Sequence, residues 1–186
     1  MEQNPELAAA RQDIEAMMAR ARAAQEQIAD YTQEQVDELI TAMVWSVARE
    51  EVSEKIAQFT VEETQLGNYA GKYLKIHRKT RATLMDIIND KSVGVIEEDP
   101  ERNIVKIAKP VGFIGALSPS TNPEATPVIK AISAVKGRNA IIIAPHPRAK
   151  LTNKMICDHM REAIVAMGGP ADLVPRIDVR SMEKTH

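Results

Sequence analysis

The spacing of apolar residues along this chain changes near residue 92, and the change predicts two kinds of structure. Before that point, apolar positions recur every three or four residues, which is the spacing of one face of an α-helix. After it, short apolar runs bounded by Gly, Pro, Asn and Asp alternate with helical stretches, which is typical of strands joined by helices. The pattern therefore predicts an α/β protein with its helices first and a small sheet later.

Four helices are predicted in the first half of the chain. The first covers about 5–29, which is rich in strong helix formers, and the third and fourth cover about 51–65 and 69–89. The second begins at Thr32, because Gln35 three residues later completes a capping box. Gly67 is expected to end the third helix. The second helix carries a clear apolar stripe of Val36, Leu39, Ile40, Met43, Val44 and Val47.

The second half begins with a β-hairpin at about 93–109, where two β-like runs flank the turn sequence D-P-E-R. Strands and helices then alternate, with strands at 111–117, 139–144 and 172–178 and helices at about 123–136 and 148–167. Pro123 is expected in the first turn of its helix, where a missing N–H costs little. This order is the first βαβαβ half of a Rossmann-like parallel sheet. The predicted organisation is a helical region at 1–91, the hairpin at 92–110 and the sheet region at 111–186.

The composition limits the kinds of binding partner and the cellular compartment that are expected for this protein. The 186 residues include 24 basic and 26 acidic side chains, giving a formal net charge of −2, and only 3% are aromatic. Neither nucleic acid nor an anionic membrane is indicated by that balance. No apolar run approaches the roughly 20 residues of a membrane span. A single cysteine, Cys157, rules out an internal disulfide and favours a cytoplasmic protein.

Two polar segments are placed where a parallel sheet binds ligands. S-P-S-T-N-P follows the strand at 111–117, and P-H-P-R-A-K (145–150) follows the strand at 139–144. Ligands of open parallel sheets bind outside the carboxyl ends of the strands, so both segments should line one edge. Neither is a glycine-rich phosphate loop, so a dinucleotide here needs hydroxyls, backbone amides and a helix N-terminus.

Each segment has a functional and a structural interpretation. The Asn122 amide is suited to stabilising an oxyanion, whereas the polar side chains of 118–122 also suit ordinary turns and helix caps. At the second strand end, His146, Arg148 and Lys150 fit either phosphate binding or a solvated loop.

Two further features favour structural roles. Cys157 lies inside a predicted helix, with His159 on another face, so a buried small side chain is favoured over a nucleophile. The basic cluster H-R-K-T-R (77–81) is interpreted as a solvated helix face. No metal site is predicted.

Three stretches together resemble the aldehyde dehydrogenase superfamily. They are K-P-V-G-F-I-G-A-L-S-P-S-T-N-P-E-A-T-P, G-R-N-A-I-I-I-A-P-H-P-R-A-K and A-M-G-G-P-A-D-L-V, and the match is strong over roughly 105–175. The closest likeness is to the coenzyme A-acylating branch, which includes the aldehyde half of bifunctional aldehyde–alcohol dehydrogenases and the acylating sulfoacetaldehyde dehydrogenases. The resemblance implies an oxidoreductase that uses NAD, with NADP not excluded, coenzyme A and a small aldehyde.

The resemblance also implies roles for individual residues. The nicotinamide and substrate end of the pocket would be lined by Ser118, Pro119, Ser120, Thr121 and Asn122. The adenosine end would lie near His146, Pro147 and Arg148, and the turn after the second crossover helix would place Gly168 and Pro170 on the cofactor side. The hairpin would belong to an oligomerisation element, which implies a homo-oligomer.

Departures from the family pattern limit what carries over. The hydrolytic branch has its oxyanion-holding asparagine where Thr121 stands, so the role of Asn122 is a hypothesis. That branch also grips the adenosine ribose with a lysine and a glutamate, where this chain has Ala144 and Pro147, which favours the acylating branch and leaves NAD versus NADP open. The family's nucleophilic cysteine lies further downstream than His186. The chain is therefore interpreted as the N-terminal portion of a longer enzyme, inactive alone; the alternatives are a hydrolytic dehydrogenase fragment and a non-catalytic nucleotide-binding or oligomerisation module.

Overall fold

The helices of the first half follow the predicted order in the computed structural model, which describes residues 5–175 and 177. They are α1 (Pro5–Gln27), α2 (Gln33–Ala48), α3 (Glu50–Thr64), α4 (Tyr69–Lys75) and α5 (Arg81–Ile87). A π-helical turn, Ile76–Thr80, joins α4 to α5, so the predicted helix at 69–89 is one helical segment with a wide turn inside it. The solvated face predicted for 77–81 is confirmed for Arg78, Lys79 and Arg81, which are exposed, whereas Thr80 is buried and His77 is half-buried.

The start of α2 shows how local sequence sets a helix boundary. Thr32 Oγ1 accepts a hydrogen bond from the Gln35 amide at 3.2 Å, and Gln35 Oε1 accepts one from the Thr32 amide at 2.9 Å. This reciprocal pair is the predicted capping box, which satisfies two N–H groups that the first turn cannot bond internally. Every residue of the predicted apolar stripe is buried.

The end of α3 differs from the prediction. Gln65, with φ of 57°, takes the left-handed conformation at the helix end, and its amide donates to the Val61 carbonyl. Gly67 is also left-handed but lies two residues further on. A non-glycine residue is tolerated here because the left-handed well is only moderately costly for a single unbranched side chain.

The predicted hairpin is confirmed as an antiparallel pair, β1 (Gly94–Asp99) and β2 (Ile104–Ala108). Asp99 accepts a hydrogen bond from the Arg102 amide at 3.1 Å and so closes the D-P-E-R turn. Val105 and Ile107 are more than half exposed, at 55% and 57%. An isolated two-stranded ribbon is only marginally stable in water. Exposed apolar side chains such as these are usually buried against another surface.

The parallel sheet consists of β3 (Phe113–Leu117) and β4 (Ala140–Ala144), joined by α6 (Thr126–Lys136). The four residues Ala140–Ile143 are buried, as the continuous apolar run predicted. β4 is followed by a 3₁₀ turn, Pro147–Ala149, and by α7 (Lys150–Ala166). Buried side chains of α1, α2, α3, α6, α7 and β4 form one hydrophobic cluster, and the partly buried Phe113, Ile114 and Ala116 of β3 pack against it.

Two predictions in this half are wrong. Ala171–Leu173 forms a 3₁₀ turn, so no strand begins at 172; residues 176 and 178 lie outside the described part. Arg161 Nη1 donates to the carbonyls of Ala171 and Val174 at 2.9 and 3.0 Å, and these side-chain bonds hold the turn. Pro123 lies before α6, whose first turn contains Pro127 instead.

Asn139 fixes the position of β3 relative to α6. Its Oδ1 accepts hydrogen bonds from the amides of Val111 and Gly112 at 2.7 and 3.0 Å, just before β3 begins. Its Nδ2 donates to the carbonyl of Ala134, near the end of α6, at 3.2 Å. One side chain therefore sets the register at which β3 enters the sheet.

Stability is expected to fall as the pH is lowered from about 7.5 to about 5.5, and His77 is expected to contribute. Burial lowers the pKa of His77, the Arg81 charge lowers it further, and Glu50 partly opposes them. The unfolded chain therefore takes up a proton at higher pH than the fold does, so stability is lost as the pH falls below about 6.5. Between these two pH values, the urea midpoint should fall less for His77→Gln than for the wild type. Equal falls in the two proteins would contradict this assignment.

Candidate functional site

The two polar loops leave the sheet side by side, as predicted. Leu117 at the end of β3 pairs with Ala144 at the end of β4, and the Ser118 amide donates to the Ala144 carbonyl at 2.9 Å. The two strands are parallel and end in register, so the 118–124 and 145–150 loops start from the same edge. This edge is the candidate site.

The first loop begins with a buried hydroxyl that has no protein partner. Ser118 is 4% exposed, and its Oγ makes no hydrogen bond to any described residue. Ser120 is half-buried, while Pro119 and Thr121 are exposed. A buried polar atom without a partner costs free energy, so Ser118 Oγ has the capacity to bond a polar group of a ligand at this candidate site.

A lysine on α4 holds the amide of Asn122. Lys75 Nζ donates to Asn122 Oδ1 at 2.7 Å, and Nζ also lies 3.8 Å from Glu124 Oε1. Asn122 Nδ2 has one protein contact among the described residues, with Thr121 Oγ1 at 3.4 Å. The amide oxygen is thus engaged by a cation, and the amide nitrogen is only weakly bonded.

A buried ion pair ties the same loop to α4. Lys72 Nζ lies 3.1 Å from Glu124 Oε2 and donates to the Thr121 carbonyl at 2.8 Å. The Lys72 side chain is 2% exposed and that of Glu124 is 0% exposed. The sequence analysis did not identify Lys72, Lys75 or Glu124 as site residues. Lys72 and Glu124 are 52 positions apart in the chain, so neither one indicates the other. The spacing of the two lysines on one helix face was the available signal, but nothing local names their partner.

The second loop is shaped by His146. Its Nδ1 accepts a hydrogen bond from the Arg148 amide at 3.1 Å and caps the 3₁₀ turn Pro147–Ala149. His146 is half-buried, whereas Pro147, Arg148 and Lys150 are exposed. The basic side chains are therefore free to meet a ligand from solvent, and the His146 ring is committed to the turn through one nitrogen.

The N-terminus of α7 is already occupied by a carboxylate. Glu63, on α3, accepts hydrogen bonds from the amides of Leu151 and Thr152, both at 2.8 Å, and from Thr152 Oγ1 at 2.7 Å. A helix N-terminus offers its free N–H groups and positive dipole end to one anion. Glu63 therefore takes the place at the start of α7 where an anionic ligand would otherwise bind.

Removing this internal anion should destabilise the fold measurably. We expect Glu63→Ala to lower the free energy of unfolding by about 2 kcal/mol, because three hydrogen bonds to a helix start are lost together. Glu62→Ala, one residue away and exposed, is the matched control and should change stability by less than about 0.5 kcal/mol. Chemical denaturation measures both. Equal effects of the two variants would show that the cap contributes nothing.

The structure does not bring Gly168 and Pro170 to this edge. Both follow α7, whose 17 residues span about 25 Å starting from the second loop. Cys157 is fully buried in the middle of α7, and its Sγ lies 3.6 Å from Asn153 Oδ1. The structural interpretation of Cys157 is thus confirmed.

Residues 5–175 and 177 contain no group of three or more His, Cys, Asp or Glu side chains placed to hold a metal ion. Within the same residues, no helix has both the length and the apolar character needed to cross a membrane.

Neither outer edge of the two-stranded β3–β4 sheet has a strand partner among the described residues. Within the described residues β3 pairs with β4 alone, and the groove beside α6 has a volume of about 560 Å³ and is lined by Ile114, Gly115 and Ile129. Leu117 is 63% exposed at the end of β3. A parallel strand with a free edge and exposed apolar residues is rare, because parallel sheets are normally covered on both faces. These features are typical of a sheet that continues in further strands.

Fold and sequence agree on the family. The aldehyde dehydrogenase family model matches residues 6–178, and the chain belongs to that family. Sulfoacetaldehyde dehydrogenase from an Acholeplasma species is 48% identical over 166 residues, covering 89% of this chain and 34% of that protein.

Solved structures agree with this assignment. An acetylating aldehyde dehydrogenase from Geobacillus thermoglucosidasius superposes with a TM-score of 0.91 at 33% identity, over 98% of this chain and 40% of that one. Propionaldehyde dehydrogenase from Rhodopseudomonas palustris, solved with bound CoA, gives a TM-score of 0.78 at 25% identity, over 92% of this chain and 38% of that one. The chain thus spans between about a third and two-fifths of these proteins' length and resembles the N-terminal portion of acylating members.

Proposed function

We propose that this chain is the N-terminal, cofactor-binding portion of an NAD(P)-dependent, coenzyme A-acylating aldehyde dehydrogenase. The observation that carries this proposal is the pair of loops, 118–124 and 145–150, leaving one edge of a parallel sheet in register. Relatives and solved structures that are themselves acylating enzymes support the choice of branch.

The residues at this edge fit a pyridine nucleotide in part. The unpartnered Ser118 hydroxyl and the Asn122 amide suit the nicotinamide and substrate end, and His146, Pro147 and Arg148 suit the adenosine end. The α7 N-terminus is occupied by Glu63, so the donors that this chain offers to the phosphates are the exposed Arg148 and Lys150 side chains rather than that helix start. Gly168 and Pro170, which follow α7, are not included in the proposed cleft. NAD versus NADP is left open by the residues at the second strand end.

The chemistry that the bound cofactor supplies is acceptance of a hydride from the aldehyde carbon. In the proposed reaction, a thiolate adds to that carbon. Cys157 is fully buried in α7, so the thiolate is proposed to come from beyond this chain. Asn122 Nδ2 donates a hydrogen bond to the aldehyde oxygen as it gains negative charge, which lowers the barrier to addition. Loss of hydride leaves a thioester, which the coenzyme A thiol then cleaves by displacing the enzyme thiolate.

The names of the relatives support a proposed substrate, and the exposed surface supports a proposed assembly. The printed names of several relatives specify sulfoacetaldehyde, so a small aldehyde such as sulfoacetaldehyde or acetaldehyde is proposed here. The exposed apolar residues of β1 and β2 suit burial against another copy, which supports a homo-oligomer. A cytoplasmic setting is proposed because the sequence contains a single cysteine and so cannot form an internal disulfide.

A fusion protein tests the proposed function. Residues 1–178 of this chain, the stretch up to the end of the family match, are joined to the remaining C-terminal portion of the Acholeplasma relative. Reduced cofactor should form from sulfoacetaldehyde only when coenzyme A is present, and the acyl-CoA product should be detected by mass spectrometry. The C-terminal portion alone and this chain alone are the controls, and neither should be active.

Other outcomes identify the alternatives. Formation of the free acid without coenzyme A would indicate a hydrolytic dehydrogenase. A folded fusion protein that binds nucleotide but turns over no aldehyde would indicate a non-catalytic module.

A further inference from the structure

We propose that Lys75 is a positioning residue that orients the amide of Asn122 so that its Nδ2 hydrogens are available to a ligand oxygen. The inference rests on the proposed function, because it concerns how the oxyanion donor of that same site is prepared. It begins with the contact between Lys75 Nζ and Asn122 Oδ1 at 2.7 Å.

The chemistry of the ammonium group decides which way the amide faces. A lysine ammonium has three donors and no acceptor, so it can bond only the oxygen of an asparagine amide. A reversed amide would place two N–H donors against a cation at 2.7 Å, which is repulsive. Lys75 therefore excludes one of the two amide orientations and leaves Nδ2 on the other side.

In the selected orientation, Nδ2 has no strong protein acceptor among the described residues. Its one contact there, with the exposed hydroxyl of Thr121, is 3.4 Å long, at the far limit of a hydrogen bond. A substrate oxygen at the loop surface can thus be bonded without breaking a strong bond. The Lys75 charge also polarises the amide, since hydrogen bonds in a chain strengthen one another, and this makes Nδ2–H a better donor.

Lys75 is itself held in place by a buried carboxylate. Glu124 Oε1 is 3.8 Å from Lys75 Nζ and makes no hydrogen bond to a described residue, while Oε2 is paired with Lys72 at 3.1 Å. Two lysines around one carboxylate leave a net positive charge beside Asn122. Glu124 is fully buried and ion-paired with Lys72, so it fixes the direction from which Lys75 approaches the amide.

A purely stabilising role explains this contact less well. The Lys75 side chain is 42% exposed, so solvent screens its contacts with Asn122 and Glu124, and ordering this long side chain returns little stability. A contact of this kind is better accounted for by the orientation that it imposes on Asn122.

Two measurements test the inference on Lys75→Met, Lys75→Arg and the control Lys79→Met, an exposed lysine on the adjoining π-helical turn. The first is NMR of the Asn122 side-chain amide in this chain. The Lys75→Met substitution should shift its two proton resonances and increase their exchange with water. Lys75→Arg, which keeps a cationic donor, should restore most of the wild-type signal, and Lys79→Met should leave it unchanged.

The second measurement is the kinetics of the fusion protein. Lys75→Met should lower kcat about 10-fold with little change in KM, which is less than the 10²–10³-fold cost of deleting an oxyanion donor. Lys75→Arg should recover most of kcat. An unchanged Asn122 amide signal in Lys75→Met, or equal losses of kcat in the Met and Arg variants, would overturn the inference. An inactive wild-type fusion would instead count against the proposed function, while the amide signal would still decide the role of Lys75.

Discussion

Replacing Lys72 with methionine is expected to lower the free energy of unfolding by about 3 kcal/mol or more. The substitution removes the cation nearest to the Glu124 carboxylate, which is 0% exposed. Among the described residues, only Lys75 then remains paired with it, 3.8 Å away. It also removes the hydrogen bond from Lys72 to the Thr121 carbonyl. An uncompensated buried charge is among the most destabilising changes that a single substitution can make. Urea denaturation of this chain measures the effect.

A double variant and a surface control show whether the buried charge is the cause. Lys72→Met combined with Glu124→Met should recover most of the lost stability, because replacing both members of a buried pair by apolar groups is often close to neutral. Lys106→Met breaks an ion pair with Glu97 whose members are both 55% exposed, and it should cost less than about 1 kcal/mol. If Lys72→Met is no more costly than Lys106→Met, the ion pair does not hold the loop.

Replacing Asn122 with alanine in the fusion protein is expected to lower kcat by about 10²–10³-fold. The proposed donor is lost, while the backbone carbonyl of Asn122, which accepts from the Thr126 amide at 3.0 Å, is kept. Stability should change little, because Asn122 is half-buried and its main side-chain bond is to an exposed lysine. Steady-state kinetics with denaturation of the same variant provide both values. A small change in kcat with a clear loss of stability would identify Asn122 as a turn residue only.

Elements with strong local signals were predicted correctly. The stripe on α2 follows the helical repeat over several turns, and the capping box at Thr32 needs only residues within one turn. The hairpin has its turn sequence between two β-like runs, and Asp99 closes it locally. The shared edge of the two loops follows from topology, because consecutive parallel strands end on the same side.

Features that depend on distant partners were not predicted. Glu63 and Leu151 are 88 positions apart, and nothing near either residue indicates that one caps the helix of the other. The segment predicted as a third strand begins in a 3₁₀ turn. Arg161, ten residues before Ala171, donates hydrogen bonds to carbonyls of this segment and so stabilises the turn. In each case one long-range polar contact overrides the local pattern, and only tertiary structure reveals it.

Titration of the isotope-labelled chain with NAD⁺, followed by NMR, tests most directly whether this edge of the sheet is half of a cofactor cleft. We predict that the backbone amide signals of the non-proline residues in 118–122 and 146–148 shift progressively, while those of β1 and β2 stay in place. No shift at either loop at saturating nucleotide, or shifts confined to the hairpin, would contradict the assignment of this edge to cofactor binding.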